Sequence, residues 1–364
     1  MKLTKDELNW YGRNFDYKDI RYFDFSASGF DFCFTGTKAE ITIKSDASSW
    51  DNTTKGVLGI YISNTSSDKY ENHSFWSNFS GDLSKKLILT KPEETFTIFE
   101  SDKPQTVCIK VLKLSECAFS YAGLVNVEIE GKLIHSVNKN PSTEKKILFI
   151  GDSITCGYGI EGVFEKDTFT TQQERPDLAY AFQTAKKLNA DFNLVSWSGI
   201  GLISKYVDES INIPDTSIVM PGLFPYTDKS CQSRLGLEPE VWDNSKFSPD
   251  IVVINLGTND ASFVRKIEER RLSYVNSLFL FIENIHRIHQ NAKICCCLGV
   301  MGQDLCDSID EAINLFKKEF PSAKIKSVKF PVQSDTDGIA ADWHPSSKTH
   351  IKMSEILAKE LLSF

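Results

Sequence analysis

A serine near the middle of the chain and a histidine near its end are residue types that acyl transfer uses. Ser153 stands in Gly151–Thr155, directly after the apolar run Ile147–Ile150. Ligands of open α/β sheets bind beyond the carboxyl ends of the strands, so we expect this hydroxyl to face a site rather than the core. A serine without a neighbouring base is a poor nucleophile. His344 is the candidate base.

Two further predicted strands end in residues that could stabilise an oxyanion. Gly199 follows a strand predicted at 192–197, and Asn259 follows one at 251–256. Each donor placed for the oxyanion of a tetrahedral intermediate contributes on the order of 3 kcal/mol. We expect the main-chain N–H groups of Ser153 and Gly199 and the Asn259 amide to form this hole, since a glycine backbone can approach a substrate closely. The alternative is that Gly199 and Asn259 are only turn residues.

The surroundings of His344 favour a neutral imidazole. Pro345 predicts that a helix begins directly after the histidine, and the positive end of a helix disfavours imidazolium. In an extended loop, residues i and i+2 point the same way, so the carboxylate of Asp342 could orient the ring. If it misses the ring, a main-chain carbonyl would hold the imidazole and leave a Ser-His dyad. We interpret His350, inside the predicted helix, as a packing or surface residue.

The elements that must position these residues alternate in the second half of the chain. Strands are predicted at 146–150, 192–197, 251–256, 293–299 and 325–330, with helices near 177–189, 268–290, 307–320 and 346–362. Such alternation predicts βαβ units and a parallel sheet covered on both faces. The carboxyl ends of its strands share one rim, so the candidate residues should converge there.

The first 140 residues have a different pattern. Short alternating segments separated by Gly, Ser, Asn and Asp occur at 30–35, 39–44, 57–62, 86–89, 95–99, 107–112 and 124–129. This spacing predicts an antiparallel β-sandwich. A chain of 364 residues exceeds what one core usually serves. We place the domain boundary in the polar stretch 138–145, which gives an all-β domain at 1–140 and an α/β domain at 141–364.

Composition excludes some partners. The chain has 49 acidic and 41 basic residues and a net charge of −8, which gives no electrostatic reason to bind nucleic acid or an anionic membrane. Nine cysteines without framework spacing favour free thiols in a reducing compartment. With no visible signal peptide, we expect a cytoplasmic protein; a secreted chain whose leader had been removed would look the same. The oligomeric state is not predicted.

Two cysteine and histidine groupings invite a metal interpretation. Cys295–Cys297 lie in a predicted strand, where successive side chains point to opposite faces, so we interpret them as buried thiols. His286 and His289 are spaced i, i+3 on a predicted helix and could clamp a metal. With no third ligand nearby, we interpret them as part of a solvated helix face. We expect neither a metal nor an organic cofactor.

Four blocks of the sequence resemble those of the SGNH, or GDSL, hydrolases and occur in that family's order. They are Gly151-Asp152-Ser153-Ile154, Gly199, Gly257-Thr258-Asn259-Asp260 and His344-Pro345. The resemblance implies a three-layer α/β domain, catalytic Ser153 and His344, and an oxyanion hole of Ser153, Gly199 and Asn259. The general pattern places an aspartate three residues before the histidine, where this chain has Ala341.

Longer strings look like carbohydrate esterase family 2. They are Gly151–Gly159, Val195–Gly199, Val252–Asp260, Asp342–Ser346 and, in the first domain, Phe25–Gly36. Members of that family join an N-terminal jelly roll to an SGNH domain and remove O-acetyl groups from plant polysaccharides. The branch also has the aspartate two residues before the histidine, which implies a catalytic Asp342.

The resemblance favours a serine esterase that deacetylates hemicellulose-derived poly- or oligosaccharides of the xylan or mannan type. Exposed aromatic rings beside the serine would serve as stacking surfaces for sugars. Trp343, next to His344, is the first candidate, and Tyr226 in the loop 221–226 is the second. One alternative is a glycan-binding protein with a vestigial hydrolase domain. Another is a GDSL esterase or lipase acting on a different acyl ester.

Overall fold

The N-terminal half of the computed structural model is one curled antiparallel sheet. The structure describes residues 1–46, 51–64, 75–76, 79, 81–134 and 145–364. Within these residues the N-terminal strands are β1 (Lys2–Leu3), β2 (Asn9–Tyr11), β3 (Asn14–Tyr17), β4 (Ile20–Phe23), β5 (Gly29–Ser45), β6 (Val57–Asn64), β7 (Lys85–Ile88), β8 (Glu93–Lys113) and β9 (Ala122–Ile134). Their order is β3-β4-β9-β5-β8-β6-β7, with β1 paired to β9 and β2 to β5.

The long strand β5 shows how the sheet closes over its own core. Phe30, Phe32 and Phe34 face that core at even positions, whereas Ile41 and Ile43 face it at odd positions. A register shift between residues 36 and 38 accounts for the change, because one extra residue moves the following side chains to the other face. The sequence predicts two strands here, and the structure has one bent strand. The predicted all-β fold is confirmed as a jelly-roll-like sheet.

The C-terminal half has a parallel sheet. After residue 144, the described strands are β10 (Lys146–Gly151), β11 (Asp191–Ser196), β12 (Ile251–Asn255), β13 (Lys293–Leu298) and β14 (Ile325–Lys329), in the order β11-β10-β12-β13-β14. The helices are α1 (Ser153–Cys156), α2 (Tyr180–Lys187), α3 (Met220–Leu223), α4 (Lys229–Arg234), α5 (Thr258–Val264), α6 (Glu268–Ile288), α7 (Cys306–Glu319) and α8 (Ser347–Leu362). Within the described residues, no helix has the length and apolarity needed to cross a bilayer.

Apolar cores lie on both faces of this parallel sheet. Leu148 and Ile150 of β10 contribute to the core that α6 and α7 cover, and Phe149 to the core under α2 and α8. The three cysteines of β13 divide in the same way, with Cys296 in the first core and its two neighbours in the second. The predicted three-layer α/β fold and the alternation of these thiols are confirmed.

Contacts between the two halves are extensive. The buried guanidinium of Arg13 donates to the main-chain carbonyls of Phe224 and Tyr226. The loop 114–121, between β8 and β9, reaches the rim of the parallel sheet, where the Glu116 carboxylate accepts the N–H of Ser198. The predicted domain boundary at 140/141 falls within residues 135–144, outside the described residues, and stays a prediction.

Two predictions about cysteine and histidine are wrong. Cys33 and Cys108 face each other on β5 and β8 and form a disulfide, so only seven of the nine cysteines are free thiols. Sequence spacing could not show this pair, because strand pairing brings together residues 75 positions apart. The cytoplasmic location stays a prediction. His286 packs edge-on against Phe316, and His289 is buried, so they do not form a solvated face.

Candidate active site

Ser153 lies at the first turn after β10, as expected from the apolar run that precedes it. Asp152 caps the short helix α1 by accepting the N–H of Ile154 at 3.0 Å. Gly157 ends the helix in the left-handed conformation, with φ of 75°. These two caps hold the turn that carries the serine at the mouth of the sheet. Burial raises the pKa of the Asp152 carboxyl to about 7.

The serine and the histidine meet despite their separation of 191 residues. His344 Nε2 lies 2.8 Å from Ser153 Oγ, which is hydrogen-bonding distance. The ring belongs to the loop directly before α8, where Ser346 caps the helix. His350, interpreted from sequence as a packing or surface residue, is buried inside α8, and its Nδ1 accepts the N–H of Tyr180. His344 is therefore the imidazole placed to act on Ser153.

The main chain of Asp342, rather than its side chain, holds the imidazole. His344 Nδ1 lies 3.0 Å from the carbonyl oxygen of Asp342, and the Asp342 carboxylate accepts the hydroxyl of Tyr158 at 2.8 Å. The expectation that the carboxylate points with the ring assumed an extended loop. Instead, Asp342 and Trp343 have φ of 48° and 66°, so the chain turns here. The geometry is that of a Ser-His dyad with a main-chain orienter.

Tyr158 supports the imidazole from its face, a role that the sequence did not reveal. Its ring lies 4.4 Å from that of His344, between centroids, and stacks on Phe169 at 3.7 Å. Burial, and then the hydrogen bond to Asp342, raise the pKa of the Tyr158 hydroxyl. The phenol therefore stays protonated and donates to the carboxylate. A tyrosine five residues after the serine, just beyond helix α1, was the available signal.

The environment of His344 favours the neutral ring. Burial lowers the pKa of His344 to about 4, although the hydrogen bonds from the ring to Asp342 and Ala341 act in the opposite direction. At neutral pH the imidazole is therefore unprotonated and able to accept the serine proton. Sequence reasoning attributed this state to the helix end, whereas in the structure the main cause of the lowered pKa is burial of the ring.

The predicted oxyanion donors surround the serine. Gly199 has φ of 77°, and a Cβ at this position would meet nothing within 4 Å, so its backbone borders open space. The Asn259 amide donates to the carbonyl of Ile200 at 2.8 Å and has only a long contact, 3.4 Å, to Asp152 Oδ2. Asp260, the next residue, fixes the loop after Gly199 by accepting the N–H groups of residues 202–204.

These residues share a cavity of about 700 Å³, a size typical of small-molecule sites. It is lined by Phe119, Ser153, Tyr158, Ser198, Gly199, Tyr206, Thr258, Asn259, Ser262, Met301, Asp342, Trp343 and His344. Trp343 lies on the rim as predicted, with 49% of its surface exposed. Tyr206, 62% exposed, is a second rim aromatic that the sequence analysis missed.

Tyr226 does not line this cavity. Its main chain pairs with Val241, and its carbonyl accepts from Arg13. The loop 221–226 packs instead on the core through Leu223 and Phe224, which are buried. The structure therefore does not bring Tyr226 together with Ser153, because loop position alone does not show which loops reach the rim, and its role in substrate binding stays a prediction.

One group of described side chains has ligand atoms close enough to hold a metal ion. Asp24, Asp228 and Cys231 place such atoms within 4.8 Å of one another. All three are buried, and the Lys113 ammonium already lies 3.2 Å from Asp24 Oδ1. The group belongs to the interface between the two halves and does not line the cavity around Ser153.

Comparison with known proteins identifies the family. A family model described as GDSL-like Lipase/Acylhydrolase matches residues 147–357. The chain is 31% identical over 371 residues to the cellulase/esterase CelE of Acetivibrio thermocellus, covering 98% of this chain and 40% of that protein. It is 28% identical over 221 residues to an acetylxylan esterase / glucomannan deacetylase of Cellvibrio japonicus, covering 60% of this chain and 56% of that protein. The chain thus spans about half the length of these relatives.

Solved structures match over nearly the whole chain. A family two carbohydrate esterase from Clostridium thermocellum in complex with cellohexaose is 29% identical, with 98% of both chains covered and a TM-score of 0.79. The acetyl xylan esterase Est2A from Butyrivibrio proteoclasticus, at 21% identity and a TM-score of 0.82, shares the fold over 100% of this chain and 97% of its own. The chain therefore belongs to the GDSL-like lipase/acylhydrolase, or SGNH, family and is similar in sequence and fold to family 2 carbohydrate esterases.

Proposed function

We propose that this protein is a serine esterase that removes O-acetyl groups from hemicellulose-derived poly- or oligosaccharides of the xylan or mannan type. The observation that carries the proposal is the 2.8 Å contact between Ser153 Oγ and His344 Nε2 in a cavity that also contains Gly199 and Asn259. Relatives named acetylxylan esterase / glucomannan deacetylase support the substrate class, and the relative bound to cellohexaose supports a carbohydrate ligand.

The reaction follows from the positions of these groups. Ser153 Oγ attacks the acetyl carbonyl carbon while His344 Nε2 takes its proton. The N–H groups of Ser153 and Gly199 and the Asn259 amide receive the developing oxyanion. The imidazolium then gives the proton to the leaving sugar oxygen, which leaves an acetyl group on Ser153. Water, deprotonated by the same imidazole, attacks this ester and releases acetate.

Neither a metal nor a cofactor is required for these steps. The low pKa of His344, about 4, makes its imidazolium a strong acid toward the leaving sugar oxygen. The exposed rings of Trp343 and Tyr206 provide apolar surfaces on which the faces of sugar rings can stack. Carbohydrate binding is thus assigned to the rim, and ester cleavage to the floor of the cavity.

The test is acetate release from acetylated xylo- and manno-oligosaccharides, with each acetyl signal followed by NMR. The wild-type protein should release acetate, and Ser153→Ala should lose nearly all activity while keeping its glycan affinity. Undiminished release by Ser153→Ala would exclude this serine as the nucleophile. Binding of the oligosaccharides by a wild-type protein that releases no acetate would instead indicate a vestigial hydrolase. Faster cleavage of octanoyl than acetyl aryl esters would indicate a longer acyl substrate.

A further inference from the structure

Two buried glutamates lie beneath the loop that carries Gly199. Glu116 belongs to the loop 114–121 of the N-terminal half, and Glu174 directly follows the short 3-10 turn Thr171–Gln173. Both side chains are fully buried, which is rare for glutamate. Among the described residues, neither forms an ion pair with lysine, arginine or histidine. Their burial therefore has to be offset by hydrogen bonds.

The two carboxyl groups form a chain of hydrogen bonds that ends at the oxyanion loop. Glu174 Oε2 accepts the N–H of Glu116 at 2.9 Å, and Glu116 Oε2 accepts the N–H of Ser198 at 2.6 Å. The thiol of Cys156, in the helix turn of the serine, also lies 3.7 Å from Glu116 Oε2. Ser198 immediately precedes Gly199, so these hydrogen bonds reach the peptide next to an oxyanion donor.

The two carboxyl groups are close enough to perturb each other's pKa. Burial raises the pKa of Glu116, and burial together with the nearby charge of Glu116 raises that of Glu174. The second oxygen of each group, Oε1, is buried and has no N–H or O–H donor among the described residues. The raised pKa of each group favours the neutral carboxyl form, which lowers the cost of burying the pair.

We infer that Glu116, held by Glu174, is a positioning residue that aims the N–H of Gly199 at the substrate carbonyl by fixing the peptide of Ser198. The inference rests on the proposed function. Gly199 itself borders open space, so neighbouring peptides determine its position. The carbonyl of Gly199 accepts the N–H of Tyr206 at 2.9 Å, which restrains the other side of the same residue. A misplacement of about 1 Å in such a site costs about a hundredfold in rate.

This inference also gives the N-terminal half a part in the reaction. Glu116 and Phe119 come from one loop of that half, and Phe119 lines the cavity. The α/β half alone supplies the nucleophile, the base and the donors, but the acceptor for the Ser198 N–H comes from the other half. The jelly-roll-like half therefore positions part of the oxyanion hole in addition to packing against the α/β half.

The experiment compares Glu116→Met with the matched control Glu116→Gln in the full-length chain. Methionine fills a similar volume but cannot accept the Ser198 N–H, whereas glutamine retains an acceptor and offers Glu174 a donor. We expect Glu116→Met to lower kcat for acetylated oligosaccharides about a hundredfold with KM changed less than about threefold. Glu116→Gln should keep most of the wild-type kcat. Circular dichroism and thermal melting establish that each variant is folded.

A second readout separates positioning from general support of the fold. Methylboronic acid adds to the Ser153 oxygen and places a boron-bound oxygen where the oxyanion forms, so its dissociation constant reports on the hole directly. We expect Glu116→Met to weaken boronate binding about as much as it lowers kcat, and Glu116→Gln to bind nearly as the wild type does. If Glu116→Met does not fold, Glu116→Asp, which withdraws the acceptor by one methylene, gives the same comparison.

The outcomes distinguish this inference from the proposed function. A folded Glu116→Met variant with wild-type kcat and wild-type boronate affinity would overturn the positioning role. Equal losses in Glu116→Met and Glu116→Gln would also overturn it, because the control retains the acceptor. If the wild-type protein releases no acetate, the proposed function fails. Boronate affinity still decides the role of Glu116 in that case, because the adduct forms without ester cleavage and requires only Ser153, His344 as the acceptor of the serine proton, and the oxyanion hole.

Discussion

Replacement of Asp342 by asparagine tests whether a main-chain carbonyl suffices to orient the imidazole of His344. The change removes the charge from the acceptor of the Tyr158 hydroxyl but leaves the carbonyl that contacts His344 Nδ1 at 3.0 Å. Asparagine also tolerates the left-handed conformation of this residue, φ 48°, which alanine adopts less readily. The expected difference is that between a charged and a neutral acceptor at an exposed position, about 1 kcal/mol.

A loss of about 1 kcal/mol corresponds to a decrease of about fivefold in kcat/KM. His344→Ala removes the base itself and should cost several orders of magnitude. If the carboxylate were the true orienter, Asp342→Asn would favour the wrong tautomer and cost about 10⁴-fold in kcat. The assay is hydrolysis of p-nitrophenyl acetate and of acetylated xylo-oligosaccharides, with thermal melting as the check of folding. A loss approaching that of His344→Ala would refute the dyad.

Three further predictions concern the pKa of His344, the exposed ring of Trp343 and the disulfide of the N-terminal sheet. The kcat/KM of the wild type should stay constant as the pH falls from 6.5 toward 4, because a pKa of about 4 keeps His344 neutral over this range. A decrease in kcat/KM with its midpoint near pH 6.5 would contradict this. Trp343→Ala should raise KM for acetylated oligosaccharides about fivefold and leave the kinetics with p-nitrophenyl acetate nearly unchanged, and Trp343→Phe should give an intermediate KM. Equal effects on both substrates would exclude Trp343 as a stacking surface for sugars. A thiol reagent in denaturant should titrate seven cysteines before reduction and nine after, whereas nine at the outset would show that Cys33 and Cys108 are not paired.

The elements that hold the site were predictable because strong apolar runs mark them. The five strands of the parallel sheet were each placed to within about a residue of their observed bounds, and the rule that parallel strand ends share a rim then brought Ser153, Gly199 and Asn259 together. The position of His344 followed from Pro345 and the helix after it. These inferences depend on local pattern and on topology, which a single sequence contains.

Backbone direction and distant pairing could not be predicted from the sequence. Nothing in the sequence marks Asp342 and Trp343 as two successive left-handed residues, so the choice between the Asp342 carboxylate and its main-chain carbonyl as the group that orients His344 stayed open. The disulfide between Cys33 and Cys108 depends on which strands pair, and the contacts of Glu116 depend on how two domains dock. Tyr226 was chosen from loop position, which does not distinguish a loop at the rim from one folded against the core.

The left-handed turn at residues 342–343 has a consequence for the evolution and engineering of this protein. One pair of backbone angles both presents the Trp343 ring to the solvent and sets the carbonyl that holds the imidazole. An insertion that reshaped the 342–343 turn for a bulkier glycan would also move the Asp342 carbonyl and so reorient the His344 ring. If the proposed function holds, adaptation to new glycans is therefore expected to proceed through Tyr206 and Met301, which also line the cavity but lie outside this turn.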